Sequence, residues 1–459
     1  MDTKDRLAYL AITCTDEEVV DFEAYILKKQ WEVYNKDRMD KALVIKNKID
    51  ALPLSFPNGT VGKDYRVEFS LPSEYVIDYY LEDIEEIGLQ QDVSQDTGNC
   101  ILFGKPQEAG SFSFRLCYHH KGYVKGMPVL ERKFTIAINP DPKSLWKNIP
   151  TSKDIEYYQP DFECEYVKVE SVNGVPQKDI VVASQRGRSH AHEGNPRDDH
   201  YGVKHLDKSG WYIMAVADGA GSAKYSRKGS TIACETAVRH CEQFFADEKN
   251  VHDFEEYITT YNTERNDEYK KMLGDYIYRL VGSAAFSGYK AIESEALNHN
   301  NTPIKYYATT LLLAVCKRFD FGWFVASFWV GDGAMCIYDK DRQYFKILGT
   351  PDEGEFAGQT RFLTMQEIFK DATSFYGRLK FSIEKDFTAL MLMTDGVSDP
   401  KFETDANLNK IEKWNELYED ITKEVDLSDD NVESQYQLLK WLDFWSQGNH
   451  DDRTIAILY

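Results

Sequence analysis

Three times in this chain an apolar run ends in Asp-Gly. Ile213 to Ala217 leads into Asp218-Gly219-Ala220-Gly221-Ser222, Phe328 to Gly331 into Asp332-Gly333, and Leu390 to Thr394 into Asp395-Gly396. A short, unbroken apolar run reads as a strand buried on both faces. Each run therefore ends by presenting one carboxylate and one bare backbone turn. A single Asp-Gly between apolar runs is a hairpin signal. Three copies are joined by the pair Asp198-Asp199, by Asp399, and by Asp451-Asp452 just ahead of the apolar strand Thr454 to Tyr459. Together they point to a shared site. Converging carboxylates repel one another, and cations hold them together. Hard cations such as Mg²⁺ or Mn²⁺ take oxygen ligands and keep waters. No His/Cys spacing suits zinc. A glycine after the acid lets a backbone carbonyl come close to a metal. Two such ions activate a bridging water and stabilise in-line displacement at phosphorus. That chemistry needs no Ser or Cys nucleophile, and the sequence has no G-x-S-x-G, Cys-x5-Arg or P-loop.

Charge and composition narrow the class. The chain has 459 residues and a net charge of -22. This length predicts two to four domains with a real core. The acidic balance argues against nucleic acid or an anionic membrane as a partner. Aromatic residues are plentiful, with 29 Tyr and 25 Phe, which argues against wholesale disorder. The run Leu7 to Cys14 meets Asp16-Glu17-Glu18 without a small-residue cleavage site, so no signal peptide is expected. No run approaches a membrane span. A cytoplasmic location is expected. The eight cysteines are dispersed without a CxxC pair, which fits reduced core thiols.

Four segments are expected. Residues 1–54 read as a helical hairpin. Thr15 to Glu18 forms a capping box, an apolar stripe runs from Val19 toward Trp31 and Tyr34, and a second helix spans about Asp37 to Leu52 before Pro53. Residues 55–142 alternate in short stretches such as Val67 to Leu71 and Ser111 to Tyr118, as a small β-sandwich does. Residues 143–176, marked by Pro150, Pro160 and Pro176, are expected to link. From 177 to 459 the order is strands, long helices, then strands. An α+β fold fits, with a central β-sandwich flanked by helices on both sides, better than a βαβ repeat does.

Two resemblances follow from the residues. Between Ile87 and Phe112, the glycines with Gly104-Lys105-Pro106 and Ala109-Gly110-Ser111 make 55–142 resemble immunoglobulin-like domains. Further on, six motifs come in order: Ser189-His190 through Asp198-Asp199, Val216 through Ser222, Ala308-Thr309-Thr310, Val330 through Gly333, Met393 through Asp399, and Asp451 through Thr454. Across 180–459 they resemble the type 2C metal-dependent Ser/Thr protein phosphatases, most nearly the bacterial branch. That resemblance implies hydrolysis of phosphoserine and phosphothreonine through a metal-bridged water or hydroxide. It implies two Mg²⁺ or Mn²⁺ ions with room for a third, a phosphoprotein substrate, and a cognate Ser/Thr kinase as a partner.

The same resemblance assigns roles. Asp218 bridges two metals and the Gly219 carbonyl holds one. Asp199 ligates with Asp198 beside it. Asp395 and Asp451 complete the pair, with Asp452 in place of a usual Asn. Asp332, Asp395 and Asp399 form the third site, and Ala308-Thr309-Thr310 matches a structural Gly-Thr-Thr. Two departures stand out. Gly194 sits where the family often has a phosphate-gripping Arg, and Ala220 where many members have a His. Arg186, Arg188 and Arg197 are the candidate replacements, Arg197 foremost, and His190 or His192 the candidate acid for the leaving group. Residues 349–382 resemble the family's variable flap, with Phe362 to Thr364 expected as a strand. The alternative reading is a regulatory or scaffold protein that keeps the fold with weak catalysis, its N-terminal modules docking a partner.

Overall fold

The computed structural model describes residues 3–10, 12–94, 98–352, 360–429 and 431–459. The chain divides into two compact units, Met1–Leu145 and Trp146–Tyr459.

In the first unit the capping box forms as expected. Thr15 Oγ1 accepts from the Glu18 N–H at 3.3 Å, and the Glu18 carboxylate accepts from the Thr15 N–H at 2.8 Å. The hairpin does not form. One helix runs from Asp16 to Asp50. Nothing between Tyr34 and Asp40 breaks a helix, since Asn35-Lys36-Asp37-Arg38 holds neither Gly nor Pro. Lys41 pairs with Asp37 at 2.8 Å across the expected break. Of this helix only Ala42 and Ile49 are buried. Ile49 joins a core with Leu81, Leu102, Phe114 and Ile136. That core lies between a four-stranded sheet, in the order Gly59–Thr60, Leu130–Asn139, Gly110–His120, Val76–Glu82, and a three-stranded sheet of Tyr65–Ser70, Asn99–Gly104 and Leu89–Val93.

The second unit is a sandwich of two antiparallel sheets. One is five-stranded: His200–Leu206, Trp211–Ala217, Leu311–Phe319, Gly322–Val330, Leu379–Glu384. The other is six-stranded: Tyr344–Ile347, Ala334–Asp339, Ala389–Met393, Arg453–Leu458, Ile180–Gln185, Phe162–Val167. Strand Trp211–Ala217 shows why its sequence is apolar throughout. Tyr212, Met214 and Val216 face the opposite sheet, while Trp211, Ile213, Ala215 and Ala217 face helices Ser226–Ala246, Glu248–Glu264 and Ser283–Asn298. Helices Ile411–Thr422 and Ser434–Leu442 pack through Trp414, Leu417, Leu438 and Trp441 into the core shared with the six-stranded sheet. The order is helices, sheet, sheet, helices, as the sequence order implied.

Two local expectations change. The stretch 143–176 supplies the edge strand Phe162–Val167, paired with Ile180–Gln185. Its Glu163 and Glu165 gave it no apolar pattern, because an edge strand keeps one side toward water. Phe362 to Thr364 is a turn rather than a strand, with the Leu363 N–H on the Thr309 carbonyl at 2.7 Å. Of the flap segment, residues 353–359 lie outside the described residues. Among the described residues no helix is long and apolar enough to cross a membrane.

The continuous helix is testable. Lys36→Pro removes a helical hydrogen bond and costs about 3 kcal/mol locally, so far-UV circular dichroism should lose helix signal. A spectrum identical to wild type would mean that a turn already exists there.

Candidate metal centre

Antiparallel register collects the acids. His200 pairs with Ala217, Leu311 with Val330, Ala334 with Met393, and Met393 with Ile455. Asp199 thus precedes one strand where Asp218 leaves its neighbour. Asp332 lies in the turn that crosses between sheets, and Asp395 and Asp451 lie at the matching ends of the other sheet. One carboxylate oxygen each of Asp218, Asp332 and Asp395 lies within 4.8 Å of the others. Asp399 follows Asp395 by one turn on helix Asp395–Phe402.

Backbone and hydroxyl groups fix these acids. The Asp218 carbonyl accepts from the Thr310 N–H and from Thr309 Oγ1, both at 2.8 Å. The Asp218 N–H donates to Thr310 Oγ1, also at 2.8 Å. Gly219 bridges to Thr309, and the Ala220 N–H donates to the Ala308 carbonyl at 3.0 Å. A Cβ at position 219 would lie 2.5 Å from the Asp198 carbonyl oxygen and 2.9 Å from the Ser226 carbonyl carbon, so only glycine passes there. Asp199 Oδ2 accepts from Thr394 Oγ1 and Thr454 Oγ1, each at 2.8 Å. Arg378 grips both Asp352 oxygens at 2.5 and 2.7 Å, and Asp352 accepts the Gly331 N–H at 3.0 Å, which sets the turn carrying Asp332. Thr360 donates to Asp332. A cavity of about 750 Å³ beside this turn is lined by Trp329, Asp352, Arg361, Arg378, Asp405 and Asn409.

The electrostatics are those of a crowded anion site. Burial, then Asp395, Asp199 and Asp451, push the Asp218 carboxyl well above its usual value. Burial and Asp332 do the same to Asp395. Burial and Asp452 push Asp199 to about 8, while burial and Asp332 push Asp399 to about 6. Asp332 and Asp451 are raised, chiefly by burial. Oδ1 of Asp199, Asp332 and Asp395 are buried without a hydrogen-bond partner. Buried carboxylate oxygens that lack donors are costly. An all-oxygen set of this kind fits hard divalent cations.

Other expected residues take different places. Asp452 accepts the Gly187 and Asp198 N–H groups at 2.6 and 2.5 Å, and His190 Nδ1 lies 3.0 Å from both its oxygens. It is a buried anchor, while Asp451 lies beside the cluster. The Asp198 carboxylate faces His190 Nε2 at 3.6 Å and Arg227 Nη1 at 3.3 Å; burial, then Asp452, push it to about 6. Against the effect of burial, Asp452 and Asp198 lift His190 to about 10. Held between the carboxylates of Asp452 and Asp198, the ring braces the two. His192 accepts the Lys147 N–H at 3.1 Å and packs on Trp146.

The expected arginines are spent. Arg197 is fully buried against the Ser184 carbonyl (3.0 Å) and Glu163. Arg186 holds Thr151 Oγ1, the Asn195 carbonyl and Asn148. Arg188 holds Asp443 and lies over Trp445. Gly194 ends helix Arg188–Glu193 at φ 78°, a left-handed turn that an Arg would strain. Arg227 and the hydroxyls of Thr394 and Thr454 were not singled out from the sequence, where they carry no spacing signal.

A carboxyl whose folded pKa exceeds its unfolded value stabilises the fold only while protonated. Metal-free protein should therefore lose stability as pH rises from about 4 through about 6 (Asp198, Asp399) to about 8 (Asp199). Asp218→Asn removes one repelling charge. In chelator, at a pH high enough to ionise the whole set, it should melt about 2–5 °C above wild type and lose the rise in melting temperature that Mn²⁺ gives. A lower melting point in chelator would contradict mutual repulsion.

The sequence profile of the protein phosphatase 2C family matches residues 186–443, more than half the chain. Similar solved structures include the catalytic domain of the serine threonine protein phosphatase PstP in complex with 2 manganese ions. It is 14% identical, covers 61% of this chain and 97% of its own, and has a TM-score of 0.35. The serine/threonine phosphatase Stp1 from Staphylococcus aureus is 13% identical, with coverages of 64% and 98% and a TM-score of 0.35. The Mycobacterium tuberculosis phosphatase PstP/Ppp is 13% identical, with coverages of 62% and 98% and a TM-score of 0.36. No curated protein matches the chain by sequence. With its motifs in family order and its acids gathered at one end of a helix-flanked β-sandwich, the chain belongs to the protein phosphatase 2C family.

Proposed function

We propose that this protein hydrolyses phosphoserine and phosphothreonine on a phosphoprotein, using two Mg²⁺ or Mn²⁺ ions with room for a third. The observation that carries the proposal is the set of unpartnered carboxylate oxygens at Asp199, Asp332 and Asp395 around Asp218. A scaffold without turnover gains nothing from keeping repelling acids buried. When bound, the cations neutralise these acids and supply an activated water for in-line attack at phosphorus. Asp218, with an oxygen within 4.8 Å of Asp332 and Asp395, would hold the cations together with the Gly219 carbonyl. Asp395 and Asp451 complete the pair, and Asp199 joins with its Oδ2 held by two threonines. Asp332 and Asp399 serve the third position. The threonine clamp on the Asp218 backbone keeps that carboxylate aimed, as supporting contacts around metal ligands do. A Ser/Thr kinase acting on the same target is the partner class, and the cytoplasm the compartment, that fits this reading.

The expected outcome is Mn²⁺-dependent hydrolysis of p-nitrophenyl phosphate and of a phosphopeptide. With metal saturating, activity no greater than that of Asp218→Ala would leave the scaffold reading in its place.

A second reading concerns residues 1–145, which would dock the phosphoprotein. Phe22, Tyr25, Trp31, Val33 and Tyr34 stand exposed on the Asp16–Asp50 helix, which favours it. A chain lacking 1–145 should keep p-nitrophenyl phosphate turnover and lose turnover of the natural phosphoprotein. Equal loss of both would make the segment structural.

A further inference from the structure

The acid cluster needs a cation that reaches toward the substrate, and the family's usual position offers Gly194. Among the described residues, one Arg or Lys side chain pairs with any of the predicted site acids: Arg227, whose Nη1 lies 3.3 Å from Asp198 Oδ1. We propose that Arg227 grips the phosphoryl oxygens of the bound phosphomonoester and of the phosphate product, in place of an Arg at 194. The proposal rests on the phosphatase reading above.

Position and availability both support this assignment. Arg227 is the second residue of helix Ser226–Ala246. Ser226, immediately before it, packs so closely on Gly219 that no Cβ fits between them. The guanidinium is therefore tethered one residue from the contact with Asp218-Gly219. Its side chain is 11% exposed, shielded enough to strengthen a charge contact and open enough to meet a ligand. Nε donates to the Glu156 carbonyl at 3.2 Å, which fixes the plane of the fork. Nη1 makes only the one long contact with Asp198, and Nη2 has no hydrogen-bond partner among the described residues. An arginine fork with one weakly held edge is shaped for two phosphoryl oxygens.

Arg186, Arg197 and Arg453 are held by their bonds, and neither Arg188, whose Nη2 is on Asp443, nor Arg361 pairs with a site acid among the described residues. Arg453 gives Nη1 to the Leu442 and Phe444 carbonyls and Nη2 to Ser446, and lies over the Phe444 ring. Asp198 is then the resting partner of Arg227. Asp198 is held independently by its N–H on Asp452 and its carbonyl on Ser230, so it stays in place when the guanidinium turns to a ligand.

The test compares wild type, Arg227→Ala and Arg227→Lys, each loaded with Mn²⁺. Inorganic phosphate is the probe, measured by calorimetry and as an inhibitor of p-nitrophenyl phosphate hydrolysis. Arg227→Ala should weaken phosphate about tenfold to a hundredfold and raise KM for p-nitrophenyl phosphate similarly. Arg227→Lys should recover part of both. Mn²⁺ affinity and melting temperature should stay near wild type. Unchanged phosphate affinity in Arg227→Ala with intact Mn²⁺ binding would overturn the assignment and leave Arg227 as a neutraliser of Asp198, with the phosphatase reading untouched. So would a wild type that binds Mn²⁺ but no phosphate. If wild type binds phosphate through Arg227 yet turns over no substrate, the assignment stands and the phosphatase reading fails.

Discussion

Mutual repulsion among buried carboxylates is the constraint on which this architecture depends. Asp199, Asp218, Asp332 and Asp395 sit where solvent screens them little, and burial and one another raise their proton affinities. No local segment would hold them so. Each is carried to the site by a different strand end or turn, and the strands are locked by cores on both faces of the five-stranded sheet and by the interface between sheets. The stability of the sandwich is what opposes the repulsion. A bound cation converts the same repulsion into attraction, so the fold is pre-strained toward metal.

The residues around the acids divide into those that touch the site and those that hold it. Asp452 shows the division most plainly. Adjacent to Asp451 in sequence, it is fully enclosed among hydrogen-bond donors. There it satisfies two backbone N–H groups and pairs with His190, tying strand Arg453–Leu458 to helix Arg188–Glu193 and to Asp198. A carboxylate suits this place because it accepts from several donors at once. Thr394 and Thr454 act similarly on Asp199, and Arg378 with Asp352 on the Asp332 turn. The anchoring carboxylate of Asp452 accepts several hydrogen bonds, whereas Oδ1 of Asp199, Asp332 and Asp395 accepts none.

Much of this was legible in the chain. An apolar run that ends in Asp-Gly announces both a doubly buried strand and a carboxylate at its tip, because burial and turn chemistry act locally. The helix start at Thr15 was legible for the same reason: a capping box closes within one turn. The helix through Asn35 to Arg38 was not. Polar residues of middling propensity fit a turn or a helix equally, and no break enforced a turn. Strand Phe162–Val167 was hidden because its pairing partner, not its own pattern, makes it a strand.

By itself the sequence determined that carboxylates stand at the strand ends and in what order the layers come, since both follow from local periodicity and turn residues. The tertiary structure alone decided which arginine pairs with Asp198. Arg186, Arg188, Arg197 and Arg227 are alike in sequence, and long-range partners chose among them: Thr151, Asp443, Glu163 and Asp198. A guanidinium's role is set by what already occupies its donors, and those partners lie tens to hundreds of residues away along the chain.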